Sequence, residues 1–468
     1  MPHHNQYLGP SSRTVPPSLP SAPSPPAFRL PIAATVAVAL ATAAAVAIVA
    51  SAAFLPAASA EDHPGIEWSL ILGGSGSDLF TAAAAAPDGG AALAAESDSS
   101  DGDFGPTLGG TDAWIVRLAP DGSVQWMTRI AGSDNEWVEW LSAAEDGGWL
   151  ALGFSLSADG DFVVPQGKNG SRRWAARLDS SGKLLWLRFL DAPEHEHSWP
   201  VAVAQPDGGL LIAHLILKAK DGVPADGFET GLQVSRIAPA GRLSKAFFAA
   251  LPVSESSHVW ELAAAAGPEG DLAVAYRAAD GGSYPLHVAA FSPAGKLLWD
   301  SPAGDDADAA DIGRDLAESP DESPGNFYRL MALPEGGWTG SATDRKLSWL
   351  FGVASDGSDA WTARVPRNGI VRDIDLADGG LLSAGYILGG RDGDEDLLAI
   401  LTDQSGAFQW SAVLGGSGND AANTAAGLSD GGLLIAGHTE SRDGHLTAWE
   451  PSGQAEGTPS AWAVKLGP

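Results

Sequence analysis

The chain has 468 residues, with 58 acidic against 27 basic side chains, 17 tryptophans and no cysteine. The lack of cysteine excludes disulfide frameworks, thiolate metal sites and a cysteine-linked lipid anchor. A formal charge of −31 argues against a nucleic-acid partner, because nucleic-acid-binding proteins need clustered lysine and arginine. The hydrophobic content of 44% is too high for a disordered acidic protein and predicts a large folded core.

Residues 1–60 have the composition of a targeting segment. Residues 1–29 are rich in Pro and Ser, and the 26 residues 30–55 carry no charge. Residues 58–60 (Ala-Ser-Ala) match a small-x-small cleavage pattern, so we predict a secretory signal peptide. The alternative is an uncleaved anchor, since this apolar stretch is long enough to span a hydrocarbon layer of about 30 Å. Both alternatives predict an exported protein, extracellular or in the cell envelope, whose only membrane contact would be an uncleaved N-terminus.

Two turn motifs repeat through residues 61–468. The first is an acid followed by two glycines, and it begins at Asp88, Asp146, Asp207, Glu335, Asp378 and Asp430, with Glu269-Gly270-Asp271 as a seventh, variant copy. The second is Gly-x-x-x-Trp, which ends at Trp126, Trp186, Trp299, Trp361 and Trp410, while Lys245 occupies a sixth such position. Successive copies of the second motif are 49 to 62 residues apart. Glycine supplies the positive φ of tight hairpins, so each unit should hold two hairpins and four strands.

Four-stranded units of this length are typical of β-propeller blades. In the first unit, the expected strands A to D lie at about 80–86, 90–96, 112–119 and 123–130. Residues 66–72 match a strand D, and the last residues of the chain match a strand C. We therefore predict an all-β fold, a single seven-bladed propeller over 61–468. Residues 66–72 would complete the last blade as its outer strand and close the ring.

Tryptophans recur at two positions in these units. One set is the strand D series of the Gly-x-x-x-Trp motif. The other set lies on strand C and consists of Trp114, Trp174, Trp349 and Trp462. A large side chain at the same position in nearly every blade is most simply explained by packing between blades.

The sequence resembles known propeller families at two places. Residues 177–186 (Arg-Leu-Asp-Ser-Ser-Gly-Lys-Leu-Leu-Trp) resemble the repeat of pyrroloquinoline-quinone-like propellers. The pattern from Trp410 through Gly415-Gly416-Ser417 and Asp430-Gly431-Gly432 to Gly437-His438-Thr439 is similar to repeats of bacterial secreted and surface propellers. The resemblance implies a non-catalytic surface protein. A quinone enzyme is disfavoured, because such enzymes have eight blades and many stack the cofactor on a vicinal disulfide.

Three consecutive blades carry a tryptophan near the start of strand A. The candidate ligand-binding residues there are Trp137, His197, Trp199, His258 and Trp260. Residues two apart on a strand share a face, and strand A should be innermost, so these side chains would border the channel mouth. Exposed aromatic rings beside polar groups suit stacking on sugars. The alternative is that the tryptophans pack between blades and that the imidazoles are solvated.

Loops after strands B and D should share one face of the propeller, the D–A/B–C face, and many of them are acidic. Asp98, Asp101 and Asp103 are the best candidates for a calcium ion, which takes roughly six to eight oxygen ligands. Ordinary turn chemistry is the alternative, and no other cofactor is expected. Residues 301–325 form a larger acidic insertion whose mutual repulsion favours a solvated loop.

The sequence contains no Gly-x-Ser-x-Gly nucleophile elbow, no phosphate-binding loop and no His-Glu-x-x-His metal motif. We therefore predict a non-catalytic, exported or cell-surface propeller that binds a protein or a carbohydrate through the D–A/B–C face. The alternatives are an extracellular carbohydrate-active enzyme and an envelope-assembly scaffold. An enzyme should show strongly shifted pKa values among groups that converge in the channel mouth.

Overall fold

The computed structural model describes residues 53–54, 63–163, 172–190, 200–219, 228–253, 259–267, 270–278, 285–303, 326–343, 348–365, 368–389, 394–446 and 457–468. These residues are all-β, with strands β1 to β29 and two 3-10 helices of three residues, at Gly160–Phe162 and Gly444–Leu446. None of the helices in these ranges has the length and hydropathy that a membrane span requires.

Strands β2 to β29 form seven antiparallel, four-stranded sheets, which are the blades of a propeller. Blades 1 and 2 consist of β3 (Asp78–Ala85), β4 (Ala91–Ser97), β5 (Asp112–Leu118) and β6 (Val124–Ile130), then β7 (Glu136–Ala143), β8 (Trp149–Ser155), β9 (Arg172–Leu178) and β10 (Leu184–Phe189). Blades 3 and 4 consist of β11 (Val201–Ala204), β12 (Leu210–Ala219), β13 (Phe228–Ile237) and β14 (Leu243–Ala250), then β15 (Val259–Ala266), β16 (Leu272–Ala278), β17 (Leu286–Phe291) and β18 (Leu297–Pro302). Blades 5 and 6 consist of β19 (Asn326–Ala332), β20 (Trp338–Thr343), β21 (Ser348–Val353) and β22 (Asp359–Arg364), then β23 (Gly369–Ala377), β24 (Gly380–Leu388), β25 (Glu395–Thr402) and β26 (Phe408–Leu414).

Blade 7 joins the two ends of the propeller segment, which confirms the predicted ring closure. Its strands are β27 (Asp420–Gly427), β28 (Leu433–Thr439), β29 (Ser460–Leu466) and β2 (Ile66–Leu72). Strand β2 has the predicted bounds and pairs antiparallel with β29. Strand β1 (Ala53–Phe54) adds in parallel to β22, the outer strand of blade 5.

Lys465 fixes the closing strand to the last blade. The side chain is buried, and its Nζ lies 2.9 Å from Glu67 on β2 and 2.5 Å from Asp430 in the A–B turn of blade 7. Trp462 on β29 also donates from Nε1 to Ser69 Oγ at 2.9 Å. The two ends are therefore held by the Lys465–Glu67 ion pair and the Trp462–Ser69 hydrogen bond as well as by the strand ladder.

The acid-Gly-Gly motif forms the A–B turns, and its first glycine has positive φ in each of the seven blades. In four blades the acid accepts an N–H from its own turn and pairs with a basic residue of strand C. These pairs are Asp88 with Arg117, Asp146 with Arg177, Asp207 with Arg236, and Asp430 with Lys465. The motif therefore connects the inner hairpin of a blade to its third strand.

The Gly-x-x-x-Trp motif packs one blade against the next, as the repeated tryptophans predicted. Trp186 on strand D of blade 2 is buried and donates from Nε1 to the carbonyl of Pro239 at 2.8 Å, in the C–D turn of blade 3. A Cβ on Gly241 of that turn would lie 2.8 Å from Trp186 Cγ. Trp126 and Trp299 donate in the same way to Ser180 and Ser355. The turn glycine is thus required by its positive φ and by the indole above it.

Blade 3 reaches the same contact with a different residue. Its strand D bulge falls later than in blade 2, so that Phe247 pairs with Val234. The Phe247 ring lies where a Cβ on Gly295 of the next turn would be only 2.6 Å from it. Lys245 occupies the position of the tryptophan in this blade, so no aromatic contact was expected there. Phe247 supplies that contact instead.

Candidate binding site in the central channel

The inner strands of all seven blades surround a central cavity of about 810 Å³. Six of them carry a β-bulge, and the bulged residues are Thr81, Glu139, Glu261, Tyr328, Arg372 and Asn423. A bulge leaves one residue without a cross-strand partner and re-aims its side chain. Thr81, Glu139, Arg372 and Asn423 line the cavity.

Three bulged residues connect consecutive blades around the channel. Arg372 Nη1 of blade 6 donates to Asn423 Oδ1 of blade 7. Asn423 Nδ2 in turn donates to the Phe80 carbonyl of blade 1 at 2.9 Å. Thr81 Oγ1 then donates to the Val138 carbonyl of blade 2 at 2.7 Å. These hydrogen bonds hold polar side chains in defined positions along the channel wall.

The wall formed by blades 1 and 2 carries two carboxylates. Glu96 on β4 is half-buried and lies beside Glu139 on β7, and both line the cavity. Burial, and then the charge of Glu139, raise the pKa of Glu96 to about 8, although the nearby backbone N–H of Val138 opposes the shift. Burial also raises the pKa of Glu139, against the opposing effect of Arg173, whose Nη1 is 3.7 Å away. In the described residues no basic side chain lies within ion-pair distance of Glu96.

The wall formed by blades 5 and 6 carries two arginines with different partners. Arg329 pairs with Asp373 at 3.2 Å, and Asp373 also accepts from Thr424 Oγ1 at 2.8 Å. Arg372 instead lies over the Tyr386 ring, with its Cζ 4.7 Å from the centroid. Among the residues described, no carboxylate is within 4.0 Å of the Arg372 guanidinium.

His438 is close to this second wall. It stands on β28, opposite Ala421. Burial, and then the charge of Arg372, lower the pKa of His438 to about 4. The imidazole is therefore neutral at pH 7, and of these two neighbours only Arg372 is positively charged.

Blades 3 and 4 supply an apolar wall. Residues 200–204 (Pro-Val-Ala-Val-Ala) and 263–266 (four alanines) line the cavity there. A ligand in the channel would therefore face hydrogen-bonding and charged groups on one side and aliphatic groups on the other.

The residues predicted as a ligand site are only partly described. Trp137 is the second residue of β7, and its ring packs against Phe154 with a centroid distance of 5.6 Å. It is not among the residues that line the cavity. Trp260 is the second residue of β15, where its backbone pairs with Arg277. His197, Trp199 and His258 lie outside the described residues, so the predicted cluster stays a prediction.

The proposed calcium ligands hold a neighbouring loop. Asp98 Oδ1 accepts the N–H of Ser77 at 2.5 Å, Asp101 Oδ1 that of Ser75 at 2.7 Å, and Asp103 Oδ2 that of Gly73 at 3.0 Å. Blades 2 and 7 repeat this arrangement with Asp159, Asp161, Asp443 and His445. The described part of the chain contains no group of three or more potential metal-ligating side chains. Residues 304–325 of the acidic insertion lie outside that part.

A buried acid lies beneath each of these three loops. Asp78, Glu136 and Asp420 accept hydrogen bonds from hydroxyls at the end of strand B or in the B–C loop and from a glycine N–H of the D–A loop. Burial raises the pKa of Asp78 to about 6, although these hydrogen bonds oppose the shift. The D–A/B–C face is therefore built from acids that serve as hydrogen-bond acceptors.

The repeat motifs did not point to the channel residues Glu96, Glu139 and Arg372. Glu96 lies on strand B and the other two on strand A, and none of the three belongs to a residue type that repeats from blade to blade. A change of residue type at a common register of strand A is the one signal that could have pointed to Glu139 and Arg372.

No known protein family matches the chain, and no curated protein matches it. Solved structures with similar folds include a protein of unknown function from Dyadobacter fermentans, at 11% identity and a TM-score of 0.43, covering 77% of this chain and 99% of that one. The polysaccharide lyase Uly1 is 8% identical with a TM-score of 0.41, covering 76% and 85%. The Hadza microbial sialidase Hz136 is 10% identical with a TM-score of 0.40, covering 88% and 98%. At these values the likeness concerns the propeller fold alone.

Proposed function

We propose that the protein is a non-catalytic, exported or cell-surface binding module whose ligand occupies the central channel near the D–A/B–C face. The observation that supports this is the asymmetry of the channel. Glu96, Glu139, Arg329 and Arg372 line one cavity with an apolar wall beside them. Packing of the blades does not require the unlike side chains Thr81, Glu139, Arg372 and Asn423 at the shared bulge position of strand A. Concave sites with an apolar lining and a few fixed polar groups are typical of small-ligand sites.

The ligand class follows from the shape of the site. The bulged residues Thr81, Glu139, Arg372 and Asn423 are each the fourth residue of strand A, in the half nearer the D–A loops. A cavity of about 810 Å³ encloses a small molecule or the end of a chain. We therefore favour a carbohydrate, or an exposed terminus of a protein, over a broad protein surface.

The test is a binding screen with the purified protein. Polysaccharides and cell-wall preparations would be tested with and without calcium, using wild type, Arg372→Gln and the control Glu145→Gln. Glu145 is exposed and lies in an A–B turn, at the other end of the blade. Saturable binding that Arg372→Gln weakens and Glu145→Gln leaves unchanged is expected. Binding by the wild type that Arg372→Gln leaves unchanged would contradict the assignment to the channel.

A carbohydrate-active enzyme is the second candidate, because of Glu96 and Glu139. Two neighbouring carboxyl groups with different environments are the arrangement that acid–base catalysis uses. Glu96 would remain protonated near pH 7, whereas Arg173 favours the ionised form of Glu139. Release of reducing ends from a polysaccharide, abolished in both Glu96→Gln and Glu139→Gln, would favour the enzyme over the binding module.

A further inference from the structure

The channel contains an acid and a base that the described residues leave without an ionic partner. Glu96 is on blade 1 and Arg372 on blade 6, with Asn423 of blade 7 between them. Both line the same cavity, so a single bound molecule can reach both. The other polar groups of this arc, Thr81 and Asn423, are fixed by hydrogen bonds to the next blade.

Glu96 differs from the buried acids that have a structural role. Asp78 accepts hydrogen bonds from Ser97, Ser99 and the N–H of Gly74. Among the described residues, Glu96 has only the nearby backbone N–H of Val138 as a compensating donor, and it lies beside a second acid, Glu139. Removing a carboxylate from water costs free energy unless a cation or hydrogen bonds compensate for the lost hydration. The open cavity beside Glu96 lets a ligand supply that compensation.

Glu139 is a second acid beside Glu96, so a positively charged group of a ligand can contact both. Its carboxylate is exposed to the channel and interacts with Arg173 only at 3.7 Å. A group between the two carboxyl groups therefore meets the oxygens of both acids, with the Val138 N–H on the side of Glu96 and Arg173 on the side of Glu139. A protonated amine has three donors and a positive charge, and it satisfies both acids at once.

The remaining walls restrict the rest of the ligand. Arg372 offers donors to a hydroxyl or carboxylate on the same molecule. The aliphatic residues 200–204 and 263–266 offer contact to a carbon skeleton. We infer that the channel binds a small molecule or chain end that carries a protonated amine, held by Glu96 and Glu139, with a hydroxyl or carboxylate directed to Arg372. This inference rests on the proposed binding function and specifies its ligand.

Binding of such a ligand has a thermodynamic signature besides affinity. A cation placed beside Glu96 favours the ionised carboxylate. Glu96 is largely protonated at pH 7 in the free protein, so binding of the amine releases a proton. The observed binding enthalpy should therefore depend on the ionisation enthalpy of the buffer.

Calorimetry with matched probes tests the inference on the full protein. Glucosamine against glucose tests an amino sugar as the source of the amine, and 6-aminohexanoate against hexanoate tests an aliphatic chain end. We expect at least one amine to bind tenfold or more tightly than its matched compound, with proton release. Glu96→Gln should weaken that binding at least tenfold and remove the dependence on buffer, while Glu145→Gln should change neither.

Three results would overturn the inference. They are equal affinity for an amine and its matched compound, amine binding that survives Glu96→Gln and Glu139→Gln together, and no amine binding by the folded wild type. The wild-type buffer dependence needs no variant, so a failure of either substitution to fold leaves a decisive measurement. If a polysaccharide without amines binds and Arg372→Gln weakens it, the proposed function stands and the inference about the amine fails.

Discussion

At the outer rim of the propeller, an aromatic side chain of strand D lies against the C–D turn of the next blade, as Trp186 does on Gly241. In the channel, the fourth residue of strand A changes from Thr81 to Glu139, Arg372 and Asn423. Both positions recur in the same fold unit and face the adjacent blade. The rim position keeps an aromatic side chain because the packing of adjacent blades requires it. The channel position changes its residue type from blade to blade while the fold stays the same.

The largest effect should come from removing a rim contact. Trp186→Ala deletes a buried indole and its hydrogen bond to Pro239, and we expect a loss of about 3–5 kcal/mol in the free energy of unfolding. Urea denaturation measures the loss. Leu185→Ala, at an exposed neighbour on the same strand, is the control and should change stability by less than about 0.5 kcal/mol. Equal effects of the two substitutions would show that the rim is not what holds these blades together.

The glycine of the Gly-x-x-x-Trp motif is required for two reasons, its positive φ and the indole above it, and a comparison of two glycines separates them. Gly241 and Gly379 both have positive φ, but only at Gly241 would a Cβ meet another residue, Trp186. Gly379→Ala should therefore cost only the conformational term, about 1–2 kcal/mol. Gly241→Ala should add about 1–3 kcal/mol for the close contact. Equal losses in urea denaturation would mean that the indole moves aside without cost.

Much of the fold can be predicted from the rim because its contacts use fixed residue types. The positive φ of a turn requires glycine, and an indole requires the missing Cβ, so both leave a repeated pattern. The same reasoning predicted the closing strand 66–72, which is paired as expected. It missed Phe247, because a bulge shifted by two residues moves the aromatic side chain without changing the turn.

The channel could not be predicted in the same way, for two reasons. The position of a bulge depends on how two strands align, and neither strand alone shows it. Thr81, Glu139 and Arg372 also share a backbone position and no side-chain chemistry. Glu96 comes from a different strand and reaches the site across the interface of blades 1 and 2. Its role depends on what surrounds it, which only the assembled ring shows.

The channel residue Glu96 should make the free energy of unfolding depend on pH. The folded-state pKa of Glu96, about 8, lies above its usual value of 4.5, so the folded protein retains a proton that the unfolded chain has lost. The stability from Glu96 is therefore fully present below about pH 4.5 and is lost as the pH rises to about 8, by at most about 1.4 kcal/mol per pH unit. Glu96→Gln should remove this slope from denaturation curves, while Glu145→Gln should retain it. Parallel pH profiles for wild type and Glu96→Gln would contradict the burial of this carboxyl.

The smallest effects on stability are expected on the D–A/B–C face, where the contacts in question are single hydrogen bonds to the backbone. Asp101 Oδ1 accepts the N–H of Ser75, and an asparagine oxygen can accept the same bond. Asp101→Asn should therefore change stability by less than about 0.5 kcal/mol, whereas Asp101→Ala should cost about 0.5–1.5 kcal/mol. A calcium ligand would behave differently, because the amide loses the charge that attracts the ion. Melting curves with calcium and with EDTA decide between the two roles. A melting temperature that calcium raises in the wild type and not in Asp101→Asn would assign this loop to the ion, and equal curves would assign it to the backbone of the D–A loop.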